Sequence, residues 1–178
     1  MARLMLSATL GAALAALAAL PSPASADDAQ IARGRYLVVI SGCSDCHTPG
    51  ALLGKPDMKR YLGGSDVGFS IPGAGIFVGQ NLTPDKETGI GSWTDEQIIA
   101  AIRTGKTPDG RTLSPVMPYP ALSHLTDEDA QAMAAFLKSI PAVDHKNAGP
   151  IPPSEKATVF VSVILPPDAY NAMQASKK

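Results

Sequence analysis

The pattern of apolar and polar positions divides this chain into an apolar head, three helical stretches, a long aperiodic middle and an extended tail. The head runs from Leu4 to Leu20 and is rich in Ala and Leu, with Ser7, Thr9 and Gly11 as its interruptions. Arg3 precedes it, Pro21, Ser22 and Pro23 break it, and Ala24-Ser25-Ala26 follows as an A-x-A cleavage site. The run is shorter than the ~20 residues that span a bilayer. Residues 1–26 are therefore expected to be a cleavable export signal. The mature chain would begin at Asp27 and, in a bacterium, lie in the periplasm.

The first helical stretch, "AQIARGRYLVVIS", can be capped by Asp27 or Asp28 and places Ile31, Leu37 and Ile40 on an inner face. It is expected to run on toward Cys43. Gly34 is a poor helix former, and its natural use is to admit a second helix at close range. Two later helices carry their own punctuation. "TDEQIIAAIRTG" opens on Thr94 with Gln97 three positions on, a capping box, and stops at Gly105. "TDEDAQAMAAFLKSIP" opens on Thr126 with an acidic first turn and stops before Pro141. Ala130, Met133, Leu137 and Ile140 form its core stripe, flanked by Phe136. Residues 48–92 are rich in Gly, Pro and Asp and predict a loop system with a short hairpin around Phe77. The tail after Ile140 is proline-rich, and its apolar run from Val159 to Leu165 predicts a strand that covers the domain or docks on a partner.

Composition sharpens this. Hydrophobic residues make up 45% of 178 residues, enough for one domain with a core. Net charge is -1, which gives no reason to expect a nucleic-acid partner. Aromatics are only 5%, so a large flat cofactor is a candidate to fill the middle of the fold.

Both cysteines lie in "GCSDCHTPG". A C-x-x-C pair outside the cytoplasm can be a redox dithiol, half a zinc site or a haem attachment. Zinc would need two more ligands, and His124 and His145 do not form a finger pattern with the pair. A redox dithiol would need a βαβ setting, whereas the stretch before Cys43 is helical. The imidazole immediately after the second cysteine selects the third reading, the C-x-x-C-H signature of haem c. Cys43 and Cys46 would hold the porphyrin by thioethers, and His47 would lie beneath the iron.

A low-spin electron-transfer haem takes a sixth ligand, commonly Met or His. Met58 lies too close behind His47, Met133 has core spacing, and Met173 is in the tail. Met117 sits in "SPVMPYP", where Pro115, Pro118 and Pro120 stiffen an extended loop that can present one sulfur. Met117 is the chosen ligand. His124 is its competitor, although a surface position beside a helix start explains it more simply. His145 is expected to be solvated. Trp93 and Arg103 could reach a propionate, but packing before a helix cap and a solvated charge are the plainer readings. Tyr119 could orient the ligand loop or simply pack.

With these residues assembled, the chain resembles the class I c-type cytochromes. More closely, "NLTPD", "GIGSW", "DGRTLSPVMPY" and "LTDED…FLKSIP" resemble the cytochrome modules that accompany bacterial dehydrogenases. The resemblance implies an all-α fold around one covalent haem c, with Cys43 and Cys46 as attachment sites and His47 and Met117 as axial ligands. It implies residues 27–143 as the cytochrome domain, with 144–178 as a proline-rich extension. The implied role is single-electron transfer rather than enzymatic turnover. A dehydrogenase would be the donor and an oxidase or another cytochrome the acceptor, with no small-molecule substrate and membrane contact only through a partner. One C-x-x-C-H implies one haem. A haem enzyme or a gas or redox sensor, both needing a labile sixth ligand, are the alternatives.

Overall fold

The computed structural model describes residues 26–176. Residues 1–25, which carry most of the expected export signal, lie outside the described residues. Among those described, no helix is long and apolar enough to cross a membrane.

Three helices form the core: α1 (Ala26–Ile40), α3 (Asp95–Thr104) and α5 (Asp127–Ser139). Between α1 and α3 lie the single-turn helix α2 (Cys43–His47) and a hairpin of β1 (Val67–Ile71) and β2 (Gly75–Val78). A short helix α4 (Tyr119–Leu122) precedes α5, and β3 (Phe160–Ser162) and α6 (Pro167–Ala175) follow it. The architecture is thus helical with a small sheet added, and the expected all-α class describes it only roughly. The sheet has the order β2-β1-β3. The expected hairpin around Phe77 is present, and it pairs Phe77 with Phe69. Its third strand arrives from the tail and runs parallel to β1, with Val67 opposite Phe160. All three β3 residues are exposed.

Helix α1 packs on α5 where α1 has no side chain. A Cβ on Gly34 would sit 1.8 Å from the Ala132 carbonyl oxygen, so only glycine permits this approach. Val38, Ala134 and Ala130 are fully buried around the crossing, and Leu37, Met133 and Leu137 are nearly so. Each large apolar side chain buried in this way contributes roughly 1.5–3 kcal/mol. The Arg33 guanidinium meets the Asp129 carboxylate through two hydrogen bonds, 2.8 and 3.0 Å, from α1 to α5. The helix ends follow the sequence. Thr94 and Gln97 form the expected capping box, and the Thr126 hydroxyl accepts from the Asp129 amide. Gly105 closes α3 in the left-handed conformation at φ 69°.

Helix α1 does not run on into α2. It ends at Ile40, and Gly42 takes φ 67°, a left-handed conformation that turns the chain before Cys43. The motif therefore sits on its own turn.

Residues 81–88 form a polar knot under the helices. Asn81 is 2% and Thr83 0% exposed. Asn81 Oδ1 accepts from the Thr83 amide and hydroxyl, and Asn81 Nδ2 donates to the Val143 carbonyl at 2.7 Å. Asp85 Oδ1 accepts from the Thr88 amide and hydroxyl. The "NLTPD" turn therefore ties the loop system to the segment that leaves α5.

Candidate functional site

Cys43, Cys46 and His47 share α2, a single helical turn, so the two thiols and the imidazole are brought together by local geometry alone. Both cysteines are free thiols. Burial pushes the Cys43 thiol up to about 11, and burial followed by the nearby Asp45 charge raises Cys46. A redox-active C-x-x-C pair needs the opposite, a depressed thiol that ionises near neutrality. These two are neutral, partly covered thiols. Among the described residues, no group of three or more His, Cys, Asp or Glu converges on a metal position.

The imidazole of His47 is partly exposed and held from one side. Its Nδ1 donates to the Gln80 carbonyl at 2.7 Å. Desolvation pulls its pKa below the ordinary histidine value, so the ring is neutral at neutral pH. With the Nδ1 proton engaged, Nε2 carries the free lone pair. A neutral imidazole with one nitrogen tethered to a carbonyl is the form in which histidine binds iron. The surrounding chain is fitted closely. A Cβ on Gly79 would lie 1.7 Å from the Cys46 carbonyl oxygen, so the segment after β2 that delivers Gln80 passes directly over α2. The Gly64 amide donates to the His47 carbonyl at 2.8 Å. Buried Thr48, 1% exposed, accepts the Leu62 amide at 3.0 Å. The donor set therefore fits a haem c: two thiols for thioether bonds and a neutral imidazole with a free nitrogen.

Met117 lies apart from this turn, on the loop joining α3 to α4. That loop is braced. The Leu113 amide donates to the Gly105 carbonyl at 2.8 Å, and the Tyr119 ring packs over Gly105. The Met117 amide donates to Ser114, and its carbonyl accepts from Tyr119. Further back, Asp109 accepts from the Thr107 hydroxyl and the Arg111 guanidinium. The thioether of Met117 is partly exposed.

The remaining candidates separate clearly. Met133 is 1% exposed and belongs to the core; Met58 and Met173 are exposed at 63% and 41%. His124 lies exposed before α5. Trp93 packs against the core beside the α3 cap. Arg103 pairs with Asp127 at 2.5 Å. His145 departs from expectation: it is half-buried, and its Nδ1 donates to the Gly63 carbonyl at 2.7 Å. Gln80 was missed as well. Its contribution comes through a backbone carbonyl, which leaves no side-chain signature in a sequence.

Residues 31–141 match the family model described as Cytochrome c. The chain is similar to the alcohol dehydrogenase (quinone), cytochrome c subunit, of Gluconobacter oxydans, 41% identical over 70% of this chain and 24% of that subunit. It is similar to the fructose dehydrogenase cytochrome subunit of Gluconobacter japonicus, 38% identical over 79% of this chain and 28% of the relative. It also resembles the gluconate 2-dehydrogenase cytochrome c subunit of Pantoea cypripedii, 37% identical over 62% of this chain and 23% of the relative. The chain thus spans about a quarter of the length of these curated relatives. With a family model matched over more than half its length, and with the thiols and imidazole set on one turn, this chain belongs to the cytochrome c family.

Proposed function

We propose that this chain is a periplasmic single-electron carrier with one haem c, placed between a dehydrogenase or its complex and a downstream oxidase or cytochrome. The carrying observation is the α2 turn, on which two neutral thiols precede a neutral imidazole with a free Nε2. The relatives named as cytochrome subunits of dehydrogenases support the choice of donor.

When bound, the haem supplies a ferric–ferrous couple that takes and releases one electron. Cys43 and Cys46 would hold it by thioether bonds. His47 would offer Nε2 to the iron, with the ring held by the Gln80 carbonyl. Met117 would supply a thioether, a soft donor that favours the ferrous form and raises the potential. The backbone hydrogen bonds that brace the loop from Gly105 to Tyr119 would limit how far Met117 moves between oxidation states. Contact with redox partners is brief and small in area, as suits rapid turnover.

The test is the absorption spectrum of the matured protein with and without carbon monoxide. A stable Met117 bond predicts a low-spin spectrum unmoved by CO at neutral pH. Rapid CO binding would favour a haem enzyme or gas sensor instead.

A further inference from the structure

The segment after α5 reaches back to both sides of His47. Gln80, whose carbonyl accepts the His47 Nδ1 proton, spends both hydrogens of its side-chain amide on carbonyls: Val78 and Ala148, each at 2.9 Å. Strand β2 ends at Val78, so the β ladder does not hold the Gln80 carbonyl. The backbone is held on either side, by the Ser65 amide on the Gly79 carbonyl and the Leu82 amide on the Leu62 carbonyl; the side chain adds two anchors, and one of these belongs to the tail. On the other flank, the Gly64 amide holds the His47 carbonyl. Asn147 lies directly on Gly64, where a Cβ would come within 2.0 Å of Asn147 Oδ1, and it donates to the Ser65 carbonyl at 3.2 Å. His145 donates to the Gly63 carbonyl at 2.7 Å. Ile151, 7% exposed, closes the arrangement by exchanging two backbone hydrogen bonds with Ile76, both 2.9 Å.

We propose that Gln80 is a positioning residue for the iron ligand His47, and that the tail, through the Ala148 carbonyl, is the clamp that holds it. The inference rests on the haem reading above. A firmly held acceptor at Nδ1 draws the imidazole proton outward and makes Nε2 a stronger electron donor. A stronger donor favours ferric iron. Releasing the Gln80 side chain loosens the carbonyl within its backbone frame, lengthens the bond from Nδ1, weakens the donor and shifts the couple toward ferrous. The tail therefore sets part of the reduction potential although it contributes no ligand.

The experiment is a spectroelectrochemical titration of four matured proteins: the parent, Gln80→Met, a chain ending at Lys146, and the two changes combined. Met keeps the length of Gln and removes both donors. The expected result is haem attachment in all four. At a fixed applied potential Gln80→Met shifts the ferrous-to-ferric ratio roughly three- to tenfold toward ferrous, and a tenfold shift corresponds to 59 mV for one electron. The shortened chain shifts the same way, and Gln80→Met adds less in it than in the full chain. Hydrogen exchange at His47 Nδ1–H in the ferrous protein quickens in Gln80→Met, a change that a general loss of stability would not confine to that site. A haem-loaded Gln80→Met with parental potential and parental exchange overturns the inference while leaving the haem reading intact. Equal shifts in full and shortened chains overturn the role of the tail. A parent that takes up no haem removes both readings. Should the shortened chain fail to fold, the potential and Nδ1–H exchange of Gln80→Met decide the matter.

Discussion

Gly34 of α1 lies so close to Ala132 of α5 that an added Cβ would stand 1.8 Å from the Ala132 carbonyl oxygen and 2.8 Å from the Phe136 Cβ. The obstacle is backbone and helix-borne, so it cannot rotate away. Gly34→Ala must push the two helices apart and open the cluster of Val38, Met133 and Leu137. Overpacking of this kind costs about 3 kcal/mol or more. Urea unfolding followed by far-ultraviolet circular dichroism should show a midpoint well below the parent's. An unchanged midpoint would mean that the crossing is looser than the structure has it.

Asn81 carries the knot that joins the loop system to the exit of α5. Asn81→Ala strands the Thr83 amide and leaves the Thr83 hydroxyl and the Val143 carbonyl with only longer bonds, 3.5 Å to each other and 3.4 Å from the Thr88 hydroxyl to Val143. Each stranded buried group costs about 1–3 kcal/mol. The expected loss is about 2–4 kcal/mol in chemical unfolding, with the spectrum of the folded protein retained because the α2 turn is untouched. A loss below about 0.5 kcal/mol would remove the structural role assigned to the "NLTPD" turn.

Met117→Ala should abolish the weak far-red sulfur-to-iron band of the oxidised protein and admit carbon monoxide to the reduced form. The same substitution at Met133 should lower stability by about 2–5 kcal/mol, as for other buried side chains cut to Ala, and leave that band in place, because Met133 is 1% exposed in the core. Persistence of the band in Met117→Ala would clear Met117 of the ligand role.

Acid should loosen the loop that leads to Met117 late. The Thr107 hydroxyl and then the Arg111 guanidinium hold the Asp109 carboxyl down at about 2, from an ordinary 3.8. Because the folded value lies below the unfolded one, the stabilisation is complete above the unfolded value and is lost as pH falls from 3.8 toward 2. A carboxyl titration by nuclear magnetic resonance should place the Asp109 midpoint near 2. A midpoint at the ordinary carboxylate value would show that the Thr107–Asp109–Arg111 clip is not formed in solution.

The elements read correctly from sequence are those whose signals are local. Thr94 with Gln97, Thr126, Gly105 and Pro141 mark helix ends by chemistry that acts within a turn, and the helices begin and end there. That Cys43, Cys46 and His47 meet on one turn was legible for the same reason, since positions this near in sequence need no tertiary information to come together. The hairpin at Phe77 was visible between its glycines. What escaped acts over distance or through backbone. The turn at Gly42 detaches α2 from α1 by a single φ value, and nothing in the apolar period records it. The pairing of β3 with β1 joins segments far apart in sequence, and parallel pairing leaves no turn motif between them. His145 reads as polar and solvated until the tail folds back and gives it the Gly63 carbonyl.

The most direct test of the haem reading is the mass of the mature protein made in a host competent in cytochrome maturation, taken with the pyridine haemochrome spectrum of the same sample. The account predicts a polypeptide heavier by one haem, a c-type haemochrome, and loss of that added mass when Cys43 and Cys46 are both replaced by Ala. A protein that weighs only its amino acids, or that carries a haem removable by acid extraction, would contradict it.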